Sequence, residues 1–377
     1  MRILMVTNTY APARNGVAAW ASLSVAGLRR LGHDVDVLTY AHERRETPLQ
    51  GVIEIPAWAG LDPDFRVAPV LSGLPPSVTG VAYDVVHVHH PILLGSHGVD
   101  LGRACGAKVA FTCHSVYTDY LDEYYWSVGR FLKPTVDRRI AEFVDRCDVT
   151  FAPSSRVVSW LAECGASTRV ERLDAPADTD RIRCTTRAQA RTALGLDERP
   201  VAFYVGRIAD EKRVGELVAE FAQTLRSVPD ALLVVGGWGR RASGIARDIA
   251  RRGLGERIRM PGPLDAPALS LWYSAADISV SASRSETGPL TVVEAMACGC
   301  PTVALRAPGF VDRIEDGVNG LLVDDRPGAL GSAMVQVLAD PALRQRLAAG
   351  ARDHAPRYAP VAATRHALAV YEDLLGW

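Results

Sequence analysis

The chain has 377 residues, too many for one ordinary hydrophobic core and suited to two domains. Its 48% hydrophobic and 23% charged residues, with 32 Gly and 23 Pro, describe a soluble globular protein rich in turns. A formal net charge of -1 argues against nucleic acid as a partner, and no apolar run reaches the length that spans a membrane. The charge is unevenly spread: residues 1–180 carry 17 Lys and Arg against 21 Asp and Glu (net -4), and the remainder 25 against 22 (net +3). An anionic ligand therefore fits the C-terminal half better. The seven cysteines, Cys105, Cys113, Cys147, Cys164, Cys184, Cys298 and Cys300, are odd in number and sit in apolar or helical surroundings, so they read as reduced cytosolic thiols. Cys298-Gly-Cys300 lacks a second Cys pair or His partner for a metal and reads as core packing. Met1–Val6 runs directly into a strand without the apolar region of a cleavable leader, and a cytoplasmic location is expected.

In chain order, Arg2–Thr7 is a short apolar run of the kind a parallel strand buried on both faces shows. A loop through Asn15 and Gly16 leads to a helix from about Val17 to Leu31, ended by Gly32-His33, and Val35–Thr39 is the next strand. This βαβ unit predicts a doubly wound sheet, with Gly16 in the loop where backbone can approach a ligand, or simply starting the helix. Residues 41–80 read as an irregular excursion with one strand near Val52–Ile55. A strand over Asp84–His90 places His87 and His89 on one face; a metal pair is one reading, hydrogen-bonded core histidines the other and the stronger. Lys108–Cys113 is a further strand, ending at His114, which then stands at the mouth of a site or merely caps a loop. The aromatic-rich stretch Val116–Trp126 suits either a sugar-binding face or a core-facing helix stripe. Lys133–Cys147 reads as an amphipathic helix and Val149–Ser154 as another strand with its loop.

From Leu173 to Asp180 and from Thr185 to Leu196 strand signals stop, which places the linker there and sets domains at 1–180 and 181–360, with a terminal helix over 361–377. A second βαβ run opens at Pro200–Arg207 and continues at Ala231–Gly239. Gly237-Trp238-Gly239 lacks the third glycine of a dinucleotide fingerprint, so a nicotinamide cofactor is a poor match. Strands follow at Ile258–Gly262, Asp277–Ser281, Val303–Leu305 and Gly320–Val323, and helices at Pro267–Ala275 and about Leu290; Pro341–Trp377 is helical except around Pro356 and Pro360. Two consecutive Rossmann-like halves imply a cleft between them.

The densest chemistry lies in Ser283–Pro301, a strand-turn-helix unit carrying Glu286 before the helix and Glu294 within it. A helix N-terminus offers free N–H groups and the positive end of a dipole, so phosphate can sit there while carboxylates hold hydroxyls. The plainer reading is two solvated acids. Arg207 and Lys212, just after a strand, can hold the phosphates of a nucleoside diphosphate and stabilise the charge that grows as it leaves, or can be scattered surface charges. Asp34-Val35-Asp36 and Asp62-Pro63-Asp64 lie in a strand and a Pro-rich loop and read as neither metal site.

Taken together, Gly206-Arg207 with Lys212, the Glu286-x7-Glu294 pair followed by Ala-Met-Ala-x-Gly-x-Pro, Gly16, Gly32-His33-x-Val35 and Thr112-x-His114 resemble the retaining GT-B-fold glycosyltransferases of the GT4 group. The resemblance covers nearly the whole chain, with the motifs in order. It implies two Rossmann-like domains, the first binding acceptor and the second the nucleotide sugar, with the terminal helix crossing back to the first. It implies that Arg207 and Lys212 hold the donor diphosphate, Glu294 the ribose hydroxyls and Glu286 the sugar hydroxyls. Backbone at Gly288, Pro289, Leu290 and Thr291 would contact sugar and phosphate; Gly16, Gly206 and Gly237 would approach the donor closely; His114 would reach the donor sugar. The chain departs from the family where Asn15-Gly16 replaces a common Gly-Gly and where Thr-Gly-Pro-Leu follows Glu286.

The activity this implies is metal-independent, cofactor-free transfer of a hexose-type sugar, with retention, from a UDP-sugar or similar donor to a small soluble acceptor such as a sugar, cyclitol or natural product. The stretches His89–Gly95 and His114–Tyr120 are similar to diacylglycerol sugar transferases, but the net -4 of the N-terminal half disfavours an anionic membrane. A nucleotide-sugar epimerase and a non-catalytic sugar-nucleotide sensor are the readings from other classes.

Overall fold

The computed structural model describes residues 1–13, 15–43, 48–59, 66–67, 73–119, 129–179 and 181–377. Most of the aromatic run, from Tyr120 to Trp126, and Asp62-Pro63-Asp64 lie outside the described residues. The chain forms two compact units, one made of Met1–Ala177 with Pro360–Trp377 and the other of Asp178–Ala359.

The first unit holds β1 (Arg2–Val6), β2 (Asp34–Tyr40), β3 (Val52–Ile55), a short antiparallel ribbon of β4 (Trp58–Ala59) and β5 (Arg66–Val67), then β6 (Val85–Val88), β7 (Lys108–Thr112), β8 (Val149–Ala152) and β9 (Val170–Arg172). Seven of them form one parallel sheet in the order β3-β2-β1-β6-β7-β8-β9. Strands buried on both faces explain the continuous apolar runs: Ile3, Leu4, Met5 and Val6 are all fully buried. The strand order reverses direction at β1, so β1 and β6 feed loops that diverge and leave a crevice at their carboxyl ends.

The helix Gly16–Arg30 covers this sheet, its N-terminus capped by the Asn15 side chain, which accepts from the Ala18 N–H at 2.9 Å. The last helix, Pro360–Leu375, lies against it in the same unit. Their approach is close because residue 27 is glycine: a Cβ there would overlap Thr364 and come within 2.8 Å of the Pro360 carbonyl. Tyr371 of the last helix reaches into the sheet and meets His87, and Asp373 pairs with Arg169 at 2.5 Å.

The second unit repeats the plan with β10 (Val201–Val205), β11 (Leu232–Gly236), β12 (Ile258–Gly262), β13 (Ile278–Ser281), β14 (Thr302–Leu305) and β15 (Gly320–Val323) in the order β12-β11-β10-β13-β14-β15, all parallel. Its switch point lies between β10 and β13. Asp277, at the start of β13 and 3% exposed, accepts from Arg191 at 2.9 Å, Arg187 at 2.8 Å and the Val201 N–H at 2.8 Å. Removing one partner of such a buried pair costs about 3–5 kcal/mol, because it leaves an uncompensated charge inside.

Two expectations change, on the linker and on the cysteines, and one helix cap comes from outside its own segment. The stretch Thr185–Leu196, read as linker, contains the helix Arg187–Ala193, opened by a capping box of Thr186 and Gln189 and anchored by Arg191. The helix Ala329–Ala339 has no side-chain cap of its own; Glu220 from the helix Val214–Thr224 accepts from the Gly328 and Gly331 N–H groups at 2.8 Å each, a cap that periodicity cannot reveal. The cysteines are not all reduced: Cys184 and Cys298 are disulfide-bonded, with Cα atoms 5.1 Å apart across 114 residues of sequence. Cys298 is therefore a cross-link at the end of the helix Leu290–Ala297 rather than core filling, while Cys300 is buried and free. Nothing in the local sequence pairs it with Cys184; the fold alone brings them together. Thiol titration of the denatured, unreduced protein is expected to find five free thiols, Cys105, Cys113, Cys147, Cys164 and Cys300, and seven after reduction; seven before reduction would contradict the cross-link.

Candidate active site

Two of the residues singled out in the sequence meet at the second unit's switch point. Lys212 ends a short turn after β10, Glu286 lies in the loop after β13, and Lys212 Nζ is 2.5 Å from Glu286 Oε1. Both are partly buried, with side chains 20% and 17% exposed, so the pair is desolvated enough to be rigid and open enough to exchange partners with a ligand. Arg207 pairs with Glu211 at 2.7 Å, and Tyr204 donates to the Arg207 carbonyl at 3.0 Å. Arg284 and Arg213 both pair with Asp325, tying the β13 loop to the turn after β10.

The loops approach without side chains in the way. A Cβ on Gly237 would overlap the Gly206 carbonyl, and one on Gly309 the Glu286 carbonyl; both glycines have positive φ, 120° and 81°. The Ile208 N–H donates to the Trp238 carbonyl at 2.7 Å. The indole of Trp238 is left 68% exposed.

Gly288 and Pro289 lead into the helix Leu290–Ala297, whose N-terminus no side chain caps. Thr291 is in its first turn, where N–H groups have no intrahelical acceptor. Glu294 lies on the same helix and accepts from the Tyr273 hydroxyl at 3.0 Å. Burial raises the Glu294 pKa, with the Tyr273 hydrogen bond acting against it. A carboxylate with one oxygen so engaged has the other available to accept from a diol.

In the first unit the switch point between β1 and β6 is also polar. Asn8, 1% exposed, has no hydrogen-bond partner for its side-chain amide among the described residues. Gly16 opens the first helix, and a Cβ there would meet nothing within 4 Å. The fold thus supplies no steric reason for this glycine, in contrast to Gly27 and Gly237.

His114 follows β7, and its Nε2 is 2.8 Å from His89 Nδ1; the Trp20 ring stands T-shaped to it with centroids 4.8 Å apart. His87 is bonded to Thr112 Oγ1 at 2.7 Å and to the Tyr371 hydroxyl at 2.6 Å. His90 Nδ1 accepts from the Asn8 N–H at 3.1 Å. The strand histidines are hydrogen-bonded core groups. Sequence reading missed Tyr273, Asp325 and Gly309, whose contacts lie twenty or more residues away along the chain and are made only by the fold, and it gave no role to Glu211, four residues from Arg207, or to Asn8.

Each unit, with its parallel sheet and its polar residues at the switch point, has the architecture of one half of a GT-B glycosyltransferase. The chain superposes on sucrose-phosphate synthase from Thermosynechococcus elongatus with a TM-score of 0.79 at 21% identity, over 100% of this chain and 99% of that one. It superposes on Anabaena HepE, solved with UDP, with a TM-score of 0.78 at 18% identity, over 99% and 100%. Residues 14–181 match the model of Glycosyltransferase Family 4 and residues 186–354 that of Glycosyl transferases group 1. D-inositol 3-phosphate glycosyltransferase 1 of Catenulispora acidiphila is 30% identical over 91% of this chain and 87% of its own. Alpha-monoglucosyldiacylglycerol synthase of Acholeplasma laidlawii is 25% identical over 100% and 98%. The protein belongs to the GT-B-fold glycosyltransferases of the GT4 group.

Burial lowers the pKa of His87 and of His90 from 6.5 to about 3. The unfolded chain takes up these protons near pH 6.5 and the folded one only near 3, so their contribution is complete above the unfolded value and declines as the pH falls between the two. Urea midpoints measured from about pH 7.5 down to about pH 5 are expected to fall, each histidine removing up to about 1.4 kcal/mol per pH unit below its unfolded pKa. A flat profile over that range would contradict the buried, neutral state.

Proposed function

We propose that the protein is a retaining, metal-independent glycosyltransferase that moves a hexose-type sugar from a UDP-sugar to a hydroxyl of a small soluble acceptor, such as a sugar, cyclitol or natural product. The observation that carries this reading is the Lys212–Glu286 pair at the switch point beside an uncapped helix N-terminus. Cation, carboxylate and N–H groups match the three chemical parts of a nucleoside diphosphate sugar. Lys212 and Arg207 would hold the diphosphate and stabilise the charge developing on it, work that a metal does in other transferases. Glu286, released from sole attention to Lys212, would accept from sugar hydroxyls, and Glu294 from the ribose. Backbone from Gly288 to Thr291 would hold sugar and phosphate oxygens, with Gly206 and Gly237 keeping that loop free of side chains. Gly16, which the fold does not require, would leave room for the diphosphate, and His114 would meet a hydroxyl of the donor sugar.

No covalent nucleophile is assigned. Retention would follow if the acceptor attacks on the face that the diphosphate leaves, with a leaving phosphate oxygen taking the acceptor's proton. The inositol phosphate transferase relative supports a cyclitol-like acceptor, and HepE, solved with UDP and with UDP-glucose, supports the uridine donor. A panel of nucleotide sugars scored by thermal shift and by nucleoside diphosphate release would identify the donor. With it, Lys212→Ala is expected to lower kcat about 10²–10³-fold, ~3–4 kcal/mol of transition-state stabilisation. Unchanged turnover would remove Lys212 from the mechanism.

A diacylglycerol-type lipid acceptor is the second reading, favoured by the full-length similarity to the glucosyldiacylglycerol synthase. The net -4 of residues 1–180 weighs against it. The protein is expected to stay in the supernatant when spun with anionic phosphatidylglycerol vesicles at about 150 mM salt; pelleting with them would reverse the preference.

A further inference from the structure

The contact between His89 and His114 has a direction that the two rings alone do not reveal. One nitrogen must donate and the other accept across the 2.8 Å separating His89 Nδ1 from His114 Nε2. The other edge of His89 decides it. His89 Nε2 lies 2.8 Å from Met5 Sδ, and a thioether carries no proton and can only accept. His89 therefore presents its N–H at Nε2. Both rings are buried, and burial together with the neighbouring histidines holds their pKa values well below 6.5, so each carries one ring proton near neutral pH. With its proton on Nε2, His89 has a bare Nδ1, which accepts from an Nε2–H of His114. The Nδ1 of His114 is then left as a lone pair, with no hydrogen bond from the described residues.

We propose that His89 is a positioning residue that fixes His114 as its Nε2–H tautomer, so that His114 offers Nδ1 to its ligand as a hydrogen-bond acceptor for a hydroxyl. Turning the His89 ring over would replace both nitrogens by C–H groups and lose both contacts at once. His87, stacked on His89 with centroids 4.6 Å apart and fastened by Thr112 and Tyr371, holds that ring from one side. The Trp20 ring, T-shaped to His114, limits its rotation. An acceptor nitrogen selects a ligand group that has a proton to give. It favours a sugar hydroxyl and disfavours a phosphate oxygen or carbonyl, which would confront it with a second lone pair. Naming the sugar hydroxyl rests on the function proposed above; the tautomer does not.

The test is two-bond 15N–1H correlation on ligand-free protein labelled at histidine, near neutral pH, with resonances assigned through His114→Asn and His89→Asn. His89 and His114 are both expected as Nε2–H tautomers, with Nδ1 in the unprotonated range. His114 as the Nδ1–H tautomer, or as imidazolium, would overturn the proposal. Met5→Leu removes the acceptor at nearly constant volume. In that variant His89 and His114 are expected to shift to mixed tautomers while His87 and His90 keep their wild-type resonances. A folded Met5→Leu protein with His114 unchanged would show that Met5 does not set the direction and would sink the relay. The wild-type tautomers are read without the Met5→Leu protein and without a bound donor. A protein that bound no nucleotide sugar would defeat the proposed function and leave this result standing.

Discussion

The reversal of strand order in each sheet is the constraint on which the rest depends. Parallel strands must be joined by crossovers, and where successive crossovers run to opposite sides the loops at the carboxyl edge part. Between β10 and β13 that parting brings Lys212 and Glu286 together although 74 residues separate them. Between β1 and β6 it leaves Asn8, Gly16 and the histidines around one edge. Polar groups can collect there because loops at the carboxyl edge, unlike the central strands, reach water.

The Lys212–Glu286 pair also shows why such a site is poised rather than inert. Two charges partly removed from water offset the cost of desolvation only in close contact, and these two stand 2.5 Å apart. A ligand carrying both an anion and hydroxyls can satisfy each partner separately, so the contact that stabilises the empty site also prepares it. Arg207 with Glu211 repeats the arrangement. The disulfide from Cys184 to Cys298 pins the far end of the helix that follows the Glu286 loop, which limits how far that helix can shift.

Much of the fold was legible because a parallel sheet buried on both faces writes itself as apolar runs between turn residues. β1, β7 and β8 are such runs, the edge strands β3, β12 and β15 also lie at the expected residues, and the helix Leu290–Ala297 begins where expected. The helix Arg187–Ala193 was less legible because its polar residues resemble a linker; Arg191 is buried only because Asp277 awaits it. The helix Ala329–Ala339 draws its cap from Glu220, and the Cys184–Cys298 cross-link spans 114 residues, so no local window contains either signal.

Of the candidate site, the amino-acid sequence by itself determined which residue types stand at the ends of which strands: Gly16 after β1, His114 after β7, Arg207 and Lys212 after β10, Glu286 after β13 and Glu294 on the helix that follows. Local order suffices for that, because strand ends are marked within a few residues. Only the tertiary structure decided the partnerships: Lys212 with Glu286, Glu294 with Tyr273, and His114 with His89 and through it Met5. Strand order, and the packing of loops and helices on the sheets, set these contacts, which join residues tens of positions apart. For that reason the chemical state of His114, unlike its place at the end of β7, is a property of the folded sheet.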